Sequence, residues 1–308
     1  MNKALLPVLV SSIFMLSACN EEKNIELAAQ LQHYQQQVDQ LKTELENANN
    51  KLTQTQNELT AQQQAFPALK TTEEKIFTRN EEISFTENRP TGSGIINYYI
   101  DTVKTSIPWL DKLLISQAID ILNQDAEPKD KLTINDSDSD QQKAVLTEKL
   151  ENNYQRDLDI LTANKLPGID YIIETSYLGQ RENLVSFSLF RHAYYGGERS
   201  SFYTRYLNID SETQSIIRLS DVIPPVKQKE LKELLWNSYA NALGNNKPYI
   251  KKQNFYIAKD FYFTPDGMNF VYSPSSIAPF SAGEITLQLY WNEINTLING
   301  QYIWHDIK

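Results

Sequence analysis

The chain has 308 residues, 41% of them hydrophobic, and a formal net charge of −10. That length allows one or two domains with a buried core. The acidic balance argues against the basic face that nucleic-acid binding requires, and it either steers positively charged partners or only keeps the protein soluble.

At the amino terminus, Lys3 precedes an apolar run from Ala4 to Leu16. The run is shorter than the roughly 20 apolar residues that span a bilayer, but it suits the apolar core of an export signal. Small residues follow at Ser17 and Ala18, then Cys19, the one cysteine in the chain. Leu16-Ser17-Ala18-Cys19 resembles the lipobox of bacterial lipoproteins. The resemblance implies a signal peptide over 1–18, cleavage before Cys19, acylation of Cys19 and a lipidated tether over 19–24. A plain secretory signal is the alternative. Each buried lipid CH₂ adds about 0.8 kcal/mol, so several chains anchor stably where one does not. Cleavage removes Lys3 and takes the net charge to −11. In Gram-negative lipoproteins an Asp after the cysteine favours inner-membrane retention. By that resemblance Asn20 points to the outer membrane, facing the periplasm, within the cell envelope.

Residues 25–66 read as a coiled-coil spacer. Leu27, Leu31, Tyr34, Val38, Leu41 and Leu45 begin a seam spaced alternately four and three, and Ala48, Leu52, Thr55, Leu59, Gln62 and Phe66 continue it. This is heptad spacing. Nothing breaks it before Pro67, which ends a helix. Half of the seam decays through Ala48 and Thr55 to Gln62. Two readings therefore stand: a homo-oligomer formed along the seam, or a single helix that packs on its own domain or frays.

Residues 67–165 form a mixed amino-terminal subdomain. Lys75 to Thr86 suits a strand. Gly92-Ser93-Gly94 only partly matches a dinucleotide fingerprint, because Asn97 stands at its third position, and it reads as a turn opening a helix. The apolar spacing from Ile95 to Leu122 is helical, broken at Pro108. Glu127 to Gln142 is polar and reads as a loop. Asp136, Asp138 and Asp140 begin like a calcium loop, but Gln141 and Thr147 stand where Gly and Glu belong. Leu146, Leu150, Tyr154, Leu158 and Leu161 share one helix face, and Pro167-Gly168 ends it.

From 166 to 308 the pattern turns to strands with packed helices. Asp170 to Leu178, Leu184 to Tyr194 and Ser201 to Ile209 suggest an antiparallel meander. Ser220 to Pro225 opens a helix with Leu231, Leu234, Leu235, Ser238 and Ala242 on its buried face. Phe255 to Phe263 and Met268 to Tyr272 flank the turn Thr264-Pro265-Asp266-Gly267. Glu284 to Tyr290 is a final strand, and Trp291 to Asn299 a short helix. The fold class expected is α+β: an antiparallel sheet with packed helices, preceded by a long amino-terminal helix or coiled coil.

The ordered set Tyr194-Tyr195-Gly196-Gly197, Tyr206 to Asp210, Leu219 to Ile223, Asn254 to Tyr256, Phe261 to Gly267 and Ser276 to Gly283 resembles the RsiV-type extracytoplasmic domain family. This is the carboxy-terminal domain of lysozyme-sensing anti-sigma factors. It also occurs beside peptidoglycan deacetylases and in lipoproteins. The resemblance covers about Asp170 to Ile298. It implies a binding role at the envelope, toward lysozyme or another basic peptidoglycan-directed protein, and not catalysis. The candidate partner-binding residues are Tyr194, Tyr195, Gly196, Gly197 and Glu198. The family's Gly-Gly-Ala-His run is replaced here by Gly196-Gly197-Glu198-Arg199. A structural lipoprotein acting through its coil and a peptidoglycan-binding module remain as alternatives.

An enzyme is not expected. The chain holds three histidines, His33, His192 and His305. It has no metal-ligand spacing and no G-x-S-x-G elbow, so neither a metal nor a cofactor is expected. His192, alone on a strand, reads as a packing residue.

Overall fold

The computed structural model describes residues 21–64, 66–85, 92–133 and 138–303. Cys19, Asn20, the 1–18 signal, Thr86, Asp136 and His305 lie outside them. The chain divides into two compact units, 1–65 and 66–308.

The first unit is one helix, α1 (Glu21–Gln64). The seam residues Leu31, Tyr34, Val38, Leu41, Leu45 and Leu52 are all exposed, between 44% and 65%. The side chains of Leu27, Leu59 and Gln62 lie outside the described set. Phe66 is not a seam residue; it belongs to the second unit, where its ring packs 6.1 Å from Trp109.

The second unit is α+β and contains two sheets. In the larger, β1 (Thr72–Phe85), β2 (Gly92–Lys104), β3 (Gly168–Arg181), β4 (Leu184–Tyr194), β5 (Ser201–Asp210) and β6 (Ser215–Ile216) lie in sequence order. The sheet is mixed and not purely antiparallel, because β2 pairs with β3 in parallel, Ile95 opposite Gly168 and Tyr98 opposite Tyr171. A parallel pair needs a long crossover. Here it holds α2 (Pro108–Gln124) and α3 (Ser139–Asn164). Strands from both sides of 165/166 thus share one sheet.

The region expected as a helix from Ile95 is strand up to Lys104. Its buried residues Gly94, Ile96, Tyr98 and Ile100 alternate with less buried ones, the period of a strand. The helix begins only at Pro108, whose fixed φ suits a first helical position. Asp111 secures that start by accepting bonds from the Thr105 N–H (2.7 Å) and Oγ1 (2.6 Å). Asp138 serves as the N-cap of α3, accepting from the Gln141 N–H at 2.9 Å. Asp140 pairs with Lys143 at 2.8 Å. α2 and α3 cover one face of the sheet with Leu110, Leu114, Ile119, Leu146, Leu150 and Leu161, each at most 2% exposed.

The smaller sheet is antiparallel. After α4 (Leu219–Val222) and α5 (Gln228–Leu243) come β7 (Asp260–Thr264), β8 (Gly267–Tyr272), β9 (Ile285–Tyr290) and α6 (Trp291–Ile294). Helix α5 buries Leu231, Leu235 and Tyr239, whereas Ala242 is exposed. The helix therefore presents the i, i+4, i+8 stripe, and Tyr239 was the missing member. Its hydroxyl donates to the Ile277 carbonyl at 2.7 Å. Residues 255–259, expected to be strand, are irregular, and the last helix ends at Ile294.

Candidate functional site: a tyrosine-lined cleft at the end of β4

β4 delivers the candidate residues. Tyr194 is its last residue, and the chain then turns through Tyr195, Gly196 and Gly197 to Glu198. Gly196 has φ +74°, the left-handed region, and a Cβ there would lie 3.0 Å from Leu166 Cβ. The turn is therefore seated on Leu166. Tyr195 is 47% exposed, and Gly197 and Glu198 are exposed.

The turn opens over a network that sequence reading missed. Arg191, on the helix-covered face of β4, is buried, and its Nε and Nη2 donate to Asp125 Oδ2 at 3.0 and 2.7 Å. The Tyr171 hydroxyl donates to the same oxygen at 3.1 Å, and Arg191 Nη1 reaches Ser201 Oγ. The guanidinium also stands 5.8 and 5.9 Å from the ring centres of Tyr171 and Tyr203. Next to it, the buried Tyr98 hydroxyl donates to Asp157, which also accepts from Arg156 Nε at 3.0 Å. The Tyr98 and Tyr171 rings stack at 5.5 Å, as their opposed register in β2 and β3 requires.

These contacts set the protonation states. Burial, with Asp157 beside it, raises the Tyr98 pKa far above its ordinary value. Burial and then Asp125 do the same for Tyr171. Partial burial pushes Tyr195 up to about 12, with Asp157 and Asp125 adding to the effect. Burial works against the Arg191 charge, but Asp125 and Tyr171 outweigh it and the net shift is upward. At neutral pH the tyrosines are thus hydrogen-bond donors, and Arg191 is a held cation.

Tyr98, Tyr171 and Tyr195 line a cleft of about 110 Å³. One wall comes from the end of α2 and the segment after it (Asp125, Glu127, Asp130), the other from α3 (Lys149, Asn153, Arg156). Of the predicted residues, only Tyr195 reaches the cleft. A period-two reading of β2 and β4 places Tyr98 and Arg191 on the helix-covered face, but Asp125 carries no signal beyond its position at a helix end. A second, more open groove of about 860 Å³ lies between β5 and β7, with Arg205, Arg218 and Lys259 on its walls.

Among the described residues no three His, Cys, Asp or Glu side chains are grouped to hold a metal ion. No described helix is long and apolar enough to cross a membrane. His192 lies near the end of β4, half-buried, and its Nδ1 has no hydrogen-bond partner among the described residues.

Fold and cleft define a two-sheet α+β domain with a fixed polar network beside a small open recess. Residues 217–292 match the family model described as "Protein of unknown function (DUF3298)". The fold is similar to the crystal structure of a member of the DUF3298 family from Bacteroides fragilis. That match has a TM-score of 0.56 and 15% identity, and covers 77% of this chain and 96% of that one. It is also similar to a DUF3298 family protein from Pseudomonas aeruginosa, with a TM-score of 0.50, 18% identity and coverage of 76% and 96%. No curated protein matches.

Proposed function

We propose that the chain is an envelope lipoprotein, acylated at Cys19 and held at the outer membrane facing the periplasm. Its RsiV-like domain binds a basic, peptidoglycan-directed protein such as lysozyme, and it acts as a binder and not as an enzyme. The observation that carries this reading is Tyr195, half exposed on a turn that Gly196 and Leu166 immobilise, with Glu198 exposed beside it. An aromatic anchor on this turn supplies a hot spot for affinity; the rim is of mixed sign, Glu198 beside exposed Arg199, so the charge for encounter comes from the chain as a whole. The net charge of −10 supports the same direction of steering. The lipobox-like Leu16 to Cys19 supports the anchor, and mass spectrometry of the mature amino terminus checks it.

The test is lysozyme binding to the full chain across a salt series. Binding is expected to weaken as salt rises. Tyr195→Ala is expected to cost about 2 kcal/mol or more, the range of a hot spot. Absence of binding at low salt overturns the reading. A second reading, action through self-association of α1, is favoured by its exposed apolar seam.

A further inference from the structure

The cleft beside Tyr195 has two walls of opposite sign. On α3, Lys149, Asn153 and Arg156 are spaced four and three apart, so they project from one face of the helix. Opposite them stand Asp125, Glu127 and Asp130. Asp125 is committed to Arg191 and Tyr171, and the Nε of Arg156 to Asp157. Among the described residues, no hydrogen bond or ion pair joins Lys149 or Arg156 to Glu127 or Asp130. Exposed opposite charges on mobile side chains often meet. Here both walls rest on fixed backbone. α3 is packed through Leu146, Leu150 and Tyr154, and the end of α2 is clamped by the Arg191 fork on Asp125.

The charge pattern selects among ligands. An anion attracted by Lys149 and Arg156 meets repulsion from Glu127 and Asp130, and a cation meets the reverse. A neutral polar molecule can bond to either wall, but it returns no ion pair for the water it displaces. A dipolar ion satisfies both. Size narrows the choice further. About 110 Å³ is well below the roughly 300–1,000 Å³ of drug-sized sites, so only a few heavy atoms fit.

We propose that this cleft binds the zwitterionic head of a small amino acid. The ammonium faces Glu127 and Asp130, and the carboxylate faces Lys149 and the free guanidinium nitrogens of Arg156. A short side chain lies against the Tyr195 ring. The inference goes beyond the lysozyme reading and does not need it. The assay contains no protein partner, so either can fail without the other.

The test is calorimetric titration of the full-length chain with L-alanine and D-alanine. Alaninamide and N-acetylalanine, which each keep one charge, are the controls. Saturable binding is expected for at least one hand of alanine, with both controls weaker by about tenfold or more, or roughly 1.4 kcal/mol. Lys149→Gln and Glu127→Gln, both at the surface, are each expected to weaken binding by a similar factor. Their melting midpoints should stay unchanged. The proposal is overturned if alanine gives no saturable heat, if either control binds as tightly as alanine, or if both substitutions leave affinity intact.

Discussion

Gly196 and Gly197 are neighbours in sequence and opposites in what they tolerate. At Gly196 the backbone is left-handed, which costs a residue with a side chain about 1–2 kcal/mol. An added Cβ would also press on three atoms of Leu166, all within 3.2 Å. At Gly197 no described atom beyond its chain neighbours lies within 4 Å of the added carbon, and φ is not in the left-handed region. Gly196→Ala is therefore expected to destabilise the domain by about 1–3 kcal/mol, strain and crowding together. Gly197→Ala should change stability by no more than about 0.5 kcal/mol in either direction. Urea unfolding of the two variants checks the contrast. Equal midpoints would show that the turn does not rest on Leu166. The same comparison bears on binding, because the position of Tyr195 depends on the conformation that Gly196 allows.

The strand β5 poses a different problem, that of an edge. On the side away from β4, past its short pairing with β6, it has no strand partner among the described residues, and free edge N–H groups invite pairing with other chains. Two carboxylates from the second sheet region close it. Glu284 accepts from the Thr204 N–H at 2.6 Å and from its hydroxyl at 2.8 Å, and Asp260 accepts from the Tyr206 N–H at 3.2 Å. Asp260 meets this role at a cost. Burial raises its pKa above the ordinary carboxylate value, although the Tyr206 N–H opposes the rise. Between those two pKa values the native state holds a proton that the unfolded chain has released. Stability from this group is thus present in acid and lost as pH rises through the folded pKa. Asp260→Asn keeps an acceptor oxygen and has no charge to desolvate. Its melting midpoint at neutral pH should equal or exceed that of the wild type, and this component of the pH dependence should vanish. Asp260→Ala strands the N–H and should lose about 1 kcal/mol. A pH series of thermal midpoints separates them, and an Asn variant less stable than the Ala variant would contradict the account. This edge was not legible in the sequence, because Asp260 and Glu284 lie 54 and 80 residues from the groups they cap. What was legible follows from local rules. The helix α3 announced itself through Leu146, Leu150 and Leu161, and the β3–β5 meander through runs of β-branched and aromatic residues. β2 was misread because Ile95, Ile96, Tyr99 and Ile100 fit a helical spacing as well as a strand. Its parallel pairing with β3 depends on a crossover that no local pattern encodes. At the cleft, Tyr195 was legible as an aromatic in a Gly turn. The Asp125–Arg191 fork was not, since partners 66 residues apart meet only through the fold.

For the whole molecule the open question is what covers the seam of α1. Forty-four residues at 1.5 Å each make a rod of about 66 Å. A lone helix in water draws little stability from propensity, and most helices in proteins are held by packing of an apolar face. Here Leu31, Val38, Leu45 and Leu52 occupy one heptad position and Tyr34, Leu41, Ala48 and Thr55 the other, with the large ones exposed. The flanking positions carry Gln30, Gln37, Glu44 and Lys51 on one side and Gln35, Lys42, Asn49 and Gln56 on the other. Parallel, in-register pairing sets Gln37 toward Lys42 of a second copy and Glu44 toward Asn49, so no like charges meet. Ala48 and Thr55 fill the seam poorly, which argues for an association that depends on concentration. Sedimentation equilibrium of the full chain should show a monomer–dimer equilibrium. Deletion of 21–64 should leave a monomer, and Leu45→Lys, at the middle of the seam, should shift the full chain to monomer at every concentration tested. An identical monomeric mass for the full chain and the deletion would mean that the seam recruits no second copy, and the reading in which α1 acts by self-association would fall with it.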